Sequence, residues 1–181
     1  MELALKKYKD DVRDASVSAL NKMAAKIKTS ISAEVRQKYN LQKRYLDPLL
    51  PVKKANRNDL TVEIKAKTKK IGLDHFGKPA QGVRGVRVEI KRGRPVEIRV
   101  PGKENSIGTF IGARKKGAEI GAGPDMIFAR KTKKAYPLRR VVGPSAADLG
   151  NTKDVAAMVK KANETEFPKL LDHEIQFYSK R

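Results

Sequence analysis

The feature that most constrains the fold is a central stretch, Gly82–Pro144, in which apolar and charged residues alternate. Val86–Ile90 shows this alternation, and Val96–Val100 shows it again after the turn Lys91–Arg94. A period of two residues is typical of strands that have one buried face and one solvated face. Gly93 can adopt the positive φ that a tight turn requires. The two runs therefore predict a β-hairpin.

Four other segments have the length and apolar content of strands. Leu60–Ala66 precedes the hairpin and alternates cleanly, and three segments follow it: Thr109–Ala113, Met126–Arg130 and Tyr136–Val142. Short apolar runs bounded by glycine, proline and polar residues are typical of strands joined by turns. Together with the hairpin they predict a basic antiparallel sheet of four to six strands across residues 60–142.

Helical periodicity precedes this sheet. Apolar residues recur at spacings of three and four through residues 1–31, which predicts a helix of about eight turns. Ser30 or Ser32 can then cap a second, short helix over Ala33–Tyr39. Residues 32–59 are therefore interpreted as short helices and a polar connector.

Helical periodicity also follows the sheet, over residues 143–181. Ser145 or Asp148 can cap the first helix of this region. Pro168 interrupts the pattern and leaves two alternatives. Either the helix kinks at the proline, or one helix ends near Thr165 and a second begins with Pro168 in its first turn.

These elements predict an α+β fold in a single domain of 181 residues. A long N-terminal helix and a C-terminal helix are expected to pack on the antiparallel sheet. A chain of this length can bury a hydrophobic core without covalent cross-links. The absence of cysteine excludes disulfides and thiolate metal sites.

Positive charge is concentrated on the predicted sheet. The chain carries 41 basic and 20 acidic residues, a net charge of +21. Residues 83–142 hold 16 of the basic and 5 of the acidic residues, net +11, whereas residues 143–181 hold 6 of each and are neutral. Such asymmetry indicates a polyanion near the sheet, or alternatively a solubilising surface that meets acidic protein neighbours.

Residue patterns for catalysis, cofactors or metals are missing from the sequence. Two histidines and no cysteine cannot form a zinc site of usual spacing. Asp74 and His75 are interpreted as polar loop residues, and His173 as a partly buried helix residue. No Walker motif or membrane-spanning run is found. We expect no enzyme activity, no cofactor and no membrane association.

Aromatic residues are too few for a single-strand stacking surface, since the chain has five Phe, five Tyr and no Trp. Any contact with nucleic acid should therefore be electrostatic and independent of sequence, from Lys and Arg to phosphates.

The order of parts resembles the minor tail protein Z family of tailed bacteriophages, the tail completion proteins. The most specific pieces are Thr109-Phe-Ile-Gly-Ala and Leu138-Arg-Arg-Val-Val-Gly-Pro-Ser-Ala, followed by the terminal amphipathic helix. The resemblance covers nearly the whole chain. It implies a non-enzymatic virion protein at the neck of the tail, present in the host cytoplasm during assembly.

The resemblance also implies partners: further copies in a hexameric ring, tail terminator and tail tube proteins, head connector proteins, and genome DNA bound through its phosphates. The basic residues of the predicted sheet and its loops are the candidates to face DNA. They are Arg84, Arg87, Arg92, Arg94, Arg114, Lys115, Lys116, Arg130, Lys131, Lys133 and Lys134. The alternative that composition leaves open is a cytoplasmic basic protein associated with RNA or the ribosome.

Overall fold

A computed structural model describes residues 2–81, 85–98, 109–112, 126–130 and 138–180, and confirms the α+β class. The α-helices are α1 (Glu2–Lys38), α2 (Lys43–Leu46), α3 (Ala146–Gly150), α4 (Lys153–Thr165) and α5 (Phe167–Ser179). The strands are β1 (Val52–Lys53), β2 (Glu63–Ile64), β3 (Lys70–Gly72), β4 (Ala80–Gln81), β5 (Val86–Lys91), β6 (Arg94–Ile98), β7 (Thr109–Gly112), β8 (Met126–Arg130), β9 (Leu138–Arg140) and β10 (Val142–Ser145).

The described strands form four small antiparallel sheets rather than one continuous sheet. Their orders are β1-β2, β10-β3, β4-β5-β6 and β7-β8-β9. The predicted hairpin is confirmed as β5 and β6, with Arg87 opposite Glu97 and Gly93 in the turn at a φ of +72°. The predicted strand Leu60–Ala66 is shorter than expected, because only Glu63 and Ile64 pair.

Three predicted strand boundaries, at Val100, Ala113 and Tyr136, lie outside the described residues. The predicted strand Tyr136–Val142 is represented in the described part by β9 and by the first residue of β10.

The first helix is longer than its sequence pattern predicted. It runs for 37 residues and includes the segment predicted as a separate helix, Ala33–Tyr39, up to Lys38. Ser32 caps nothing, because it is buried inside α1 and its hydroxyl donates to Asp47 Oδ1 at 2.8 Å. Val35 is also buried, so the apolar stripe continues beyond the serines and keeps the helix intact.

The hydrophobic core lies where the C-terminal half of α1 meets the short elements that follow it. Phe76 is a fully buried member of this core. The other buried members include Ile31, Val35, Leu41, Leu46, Leu50, Ile71, Leu73, Val86, Val88, Ile127, Ala146, Leu149 and Val155. Gly143 packs directly on this core, and a Cβ at that position would lie 2.7 Å from Leu73 Cδ2. The glycine of the Val-Val-Gly-Pro-Ser segment is therefore required by close packing.

In the C-terminal region the sequence left open which residue caps the first helix and whether the helix kinks or breaks at Pro168. Ser145 caps α3 in a capping box with Asp148, whose backbone N–H donates to the Ser145 hydroxyl. At the proline, the second alternative is confirmed. Helix α4 ends at Thr165, and α5 begins at Phe167 with Pro168 in its first turn, where a missing N–H costs no helical hydrogen bond.

Helices α1 and α5 pack antiparallel along a seam that contains a buried carboxylate. Glu174 is 2% exposed and accepts hydrogen bonds from Ser18 Oγ and Lys22 Nζ, both at 2.7 Å. These bonds to Lys22 and Ser18 lower the pKa of Glu174 to about 2, against the opposing effect of burial. The neighbouring His173 was predicted to be partly buried, but its side chain is 73% exposed.

We predict that Glu174→Gln lowers the free energy of unfolding at pH 7 by about 1–3 kcal/mol, because a charged hydrogen-bond acceptor is lost. The folded-state pKa lies below the ordinary value of 4.5, so this stabilisation is complete above pH 4.5. It is lost as pH falls toward 2. Denaturant unfolding measured between pH 2 and 7 should show the difference between variant and wild type vanishing at the acid end.

Asp172→Asn is the matched control, since Asp172 lies on the same helix but is exposed. An equal loss of stability in both variants would contradict the assignment of the effect to the buried carboxylate.

Candidate functional site

The structure brings three of the predicted DNA-facing residues onto one hairpin, β5–β6. These are Arg87, Arg92 and Arg94. Arg130 lies in β8, and only its backbone is described. The remaining candidates lie outside the described residues: Arg84, Arg114, Lys115, Lys116, Lys131, Lys133 and Lys134.

The turn of this hairpin is anchored on the last turn of α1. The backbone N–H of Arg92 donates to Lys38 O at 3.0 Å, and Arg92 Nε donates to Arg36 O at 2.7 Å. Next to them, the backbone N–H of Asn40 donates a hydrogen bond to Ile90 O at 2.9 Å. The last carbonyls of a helix lack intrahelical partners and carry partial negative charge, so a guanidinium there is favourable. Arg92 is thus a helix cap as well as an exposed cation.

Three other cations of the hairpin are available for an external partner. Arg87, Lys91 and Arg94 are exposed, and no acidic side chain of the described residues forms an ion pair with them. Glu89 instead turns back to accept a hydrogen bond from Gly93 N at 2.6 Å. We define Arg87, Lys91 and Arg94 as the hairpin cations.

Sequence reasoning omitted Lys91 from the candidates, although it identified the turn Lys91–Arg94 as basic. It also missed the contribution of Arg36 and Lys38, because the pattern ended the first helix at residue 31. Lys38 forms ion pairs with Asp154 and Glu34, and its hydrogen bonds to Asp154 and then to Glu34 raise its pKa. The hairpin therefore lies beside the C-terminal end of α1, where the charge of Lys38 is neutralised by acidic side chains.

A second polar cluster joins β9 to the turn after β3. Asp74, interpreted from sequence as a polar loop residue, is 2% exposed. Its carboxylate oxygens accept from Arg140 Nη2 at 2.8 and 2.6 Å. Gly72 makes room for this pair, since a Cβ there would lie 2.3 Å from Arg140 Nη2. The pair is an internal cross-link, which corrects the loop interpretation.

His75 extends this cluster to α2. Its ring stacks on Tyr45 with 4.0 Å between ring centroids, and Arg44 lies 4.8 Å above the tyrosine ring. Burial lowers the pKa of His75, and the Arg140 and Arg44 cations act in the same direction against the attraction of Asp74. The histidine is thus held neutral near pH 7 in a packed, structural position.

Metal chemistry and membrane insertion find no support in the described part of the chain. No group of three or more His, Asp or Glu side chains there is arranged to hold a metal ion. No helix among the described residues is both long and apolar enough to span a bilayer.

We predict that Arg140→Met lowers the free energy of unfolding by about 1–3 kcal/mol, because the buried Asp74 carboxylate loses the hydrogen bonds of its arginine partner. Arg139→Met is the control, since Arg139 is the adjacent, exposed arginine of the same strand. Chemical denaturation of the two variants would test the assignment, and it would be wrong if both lost the same stability.

Comparison with known proteins agrees with the resemblance noted in the sequence. The family model described as prophage minor tail protein Z matches residues 4–181. No curated protein and no solved structure matches the chain. The family match includes the long helix, the hairpin and the C-terminal helices. The chain therefore belongs to the prophage minor tail protein Z family and is a structural protein of a phage tail.

Proposed function

We propose that this protein completes the head-proximal end of the tail. In this proposal it forms a ring at the neck, joins the tail to the head connector and lines the path of the DNA. Its partners are other copies in a hexameric ring, the tail terminator and tail tube proteins, the head connector proteins and the genome. The match of residues 4–181 to a tail protein family is the observation that carries the structural role.

The hairpin cations support the part of the proposal that concerns DNA. Arg87, Lys91 and Arg94 project from one anchored hairpin without acidic partners among the described residues. Lys and Arg that neutralise phosphates release condensed counterions, which favours binding without regard to base sequence. Such contacts hold DNA weakly and non-specifically, as a channel that DNA must traverse requires.

The alternative of an RNA- or ribosome-associated protein rests on the basic hairpin and helices, the absence of cysteine and the net charge of +21. The family match favours a role in the phage tail over this alternative. In addition, the five Phe and five Tyr of the chain offer few surfaces on which unpaired RNA bases could stack.

Electron microscopy of purified virions should show this chain as a closed ring between tail tube and head connector. The expected particle phenotype of a deletion is complete tails that fail to join heads stably, because the connecting ring is missing. Absence of the chain from purified virions, or its presence only along the tail tube or at the distal tip, would contradict the neck assignment.

We predict that replacing Arg87, Lys91 and Arg94 together by Gln weakens binding to duplex DNA and flattens its salt dependence. The slope of log affinity against log salt should fall by about 0.9 for each phosphate contact removed. Fluorescence anisotropy over a range of salt concentrations measures this slope. Arg92 is left intact, because its guanidinium caps α1.

A matched control removes the same charge elsewhere. Lys153, Lys161 and Lys169 are exposed residues of α4 and α5, and their replacement by Gln also lowers the net charge by three. This control should change the slope little. Equal effects of the two triple variants would show that bulk charge, and not the hairpin, governs binding.

A further inference from the structure

A short segment between β2 and β3 is rich in lysine and free of acidic residues. The chain has no Asp or Glu between Glu63 and Asp74, and this interval holds lysines at positions 65, 67, 69 and 70. The last three of these lysines are all exposed. We call Lys67, Lys69 and Lys70 the lysine strip.

The backbone that carries the strip is held by hydrogen bonds on two sides. Lys67 N donates to Leu49 O at 2.9 Å, which continues the register in which β1 pairs with β2. Ala147 N donates to Lys67 O at 3.3 Å. At the other end of the strip, Lys70 lies opposite Ser145 in the pairing of β3 with β10. The three lysines therefore project from a fixed stretch of chain.

The apolar residues of the same segment decide which way the lysines point. Ile64 lines an apolar groove beside α1, and Ala66 packs against the hydrophobic core. Alternate residues of an extended chain point to opposite faces, so Lys65 and Lys67 face away from the core. A shift of one residue would bury these lysines and expose the apolar side chains, which fixes the direction of the segment.

The acidic side chains at the two ends of the strip are engaged by other groups. Glu63 forms an ion pair with Lys65 at 2.8 Å. Asp148 accepts hydrogen bonds from Ser145 N at 2.9 Å and from Ser145 Oγ at 2.7 Å. These bonds lower the pKa of Asp148, and the charge of Lys70 adds to the effect. Across the described ranges, no acidic side chain forms an ion pair with a lysine of the strip.

The charge that remains around the strip is positive. On the facing strand β1, Lys53 is paired with Asp59, and beyond β3 Asp74 is paired with Arg140. These pairs neutralise each other and leave the three lysines of the strip against one carboxylate, that of Asp148, which already caps α3. The strip therefore presents uncompensated positive charge to solvent.

We propose that the lysine strip is a second site at which this protein contacts the phosphates of duplex DNA. It is separate from the hairpin cations, because the strands β2 and β3 that flank it belong to other sheets than β5 and β6. The inference deepens the proposed function and rests on its DNA path.

The chemistry of the strip favours DNA over an acidic protein as the partner. The three lysines follow one another within four residues of a held backbone, so they present their charges in a row. The DNA backbone carries a charge at every nucleotide and can meet such a row whatever its base sequence. Lysine is depleted in protein–protein interfaces, whereas lysine contacts to phosphate dominate non-specific DNA binding.

The test replaces Lys67, Lys69 and Lys70 together by Gln in the full-length protein, which leaves the backbone hydrogen bonds in place. Binding to a duplex DNA probe is measured by fluorescence anisotropy over a range of salt concentrations. The slope of log affinity against log salt should fall by about 0.9 for each phosphate contact removed. Circular dichroism checks that the variant is folded.

The matched control is again the replacement of Lys153, Lys161 and Lys169 by Gln, which removes the same charge from α4 and α5. This control should change the slope little. If the strip variant and the control variant have the same slope, the strip makes no phosphate contact and the proposal is wrong.

A variant that combines the replacements in the strip and in the hairpin separates this inference from the proposed function. The two reductions in slope should add, because the two sites contact different phosphates. If the hairpin variant loses slope and the strip variant does not, the strip is wrong and the proposed DNA path stands. If the wild-type chain does not bind duplex DNA at all, the DNA path itself is wrong and the strip with it.

A photo-crosslinking amino acid in place of Lys69 identifies the partner in assembled particles. Crosslinks to DNA would support the proposal. Crosslinks to a neighbouring protein alone would overturn it and would show that the strip meets an acidic protein surface instead.

Discussion

The continuous apolar stripe of α1 is the constraint on which the rest of the described structure depends. Its middle is slim, with Ala15 and Ala19 fully buried, and this allows α5 to approach closely. Its C-terminal part contributes Ile31 and Val35 to the hydrophobic core. Its last carbonyls hold the turn of the hairpin through Arg92. Helix, core and basic surface are therefore positioned by one element.

Pairing divides the basic residues into two groups that composition cannot distinguish. Lys22, Arg57 and Arg140 each neutralise a carboxylate that is buried or partly buried. Removing Lys22 or Arg140 leaves a buried carboxylate without its cation, so these two residues stabilise the fold, whereas the pair of Arg57 with Asp14 lies nearer the surface. The hairpin cations have no such partner among the described residues, and their field extends into solvent. A net charge of +21 thus contains a structural fraction and a fraction available for a polyanion.

Local patterns predicted well the elements that local forces define. The hairpin β5–β6 followed from alternation and Gly93, and an interruption of the helix at Pro168, either a kink or a break, followed from the missing proline N–H. The predictions failed where a distant partner overrides the local signal. Ser32 has the chemistry of a cap, yet its hydroxyl donates a hydrogen bond to Asp47, 15 residues farther along the chain. His173 was expected to be partly buried, yet the neighbouring Glu174 is the buried residue, because Ser18 and Lys22 of α1 donate hydrogen bonds to its carboxylate.

The sequence by itself determined the α+β class, the hairpin, the family and the placement of positive charge on the central region. Each of these follows from composition, periodicity or the order of segments, which are properties of the chain read along its length. Only the tertiary structure decided which cations are paired, that the Asp74 carboxylate is buried and paired with Arg140, and that Glu174 is buried between α1 and α5. These depend on contacts between residues far apart in the chain, because burial and ion pairing are set by the neighbours that folding brings together.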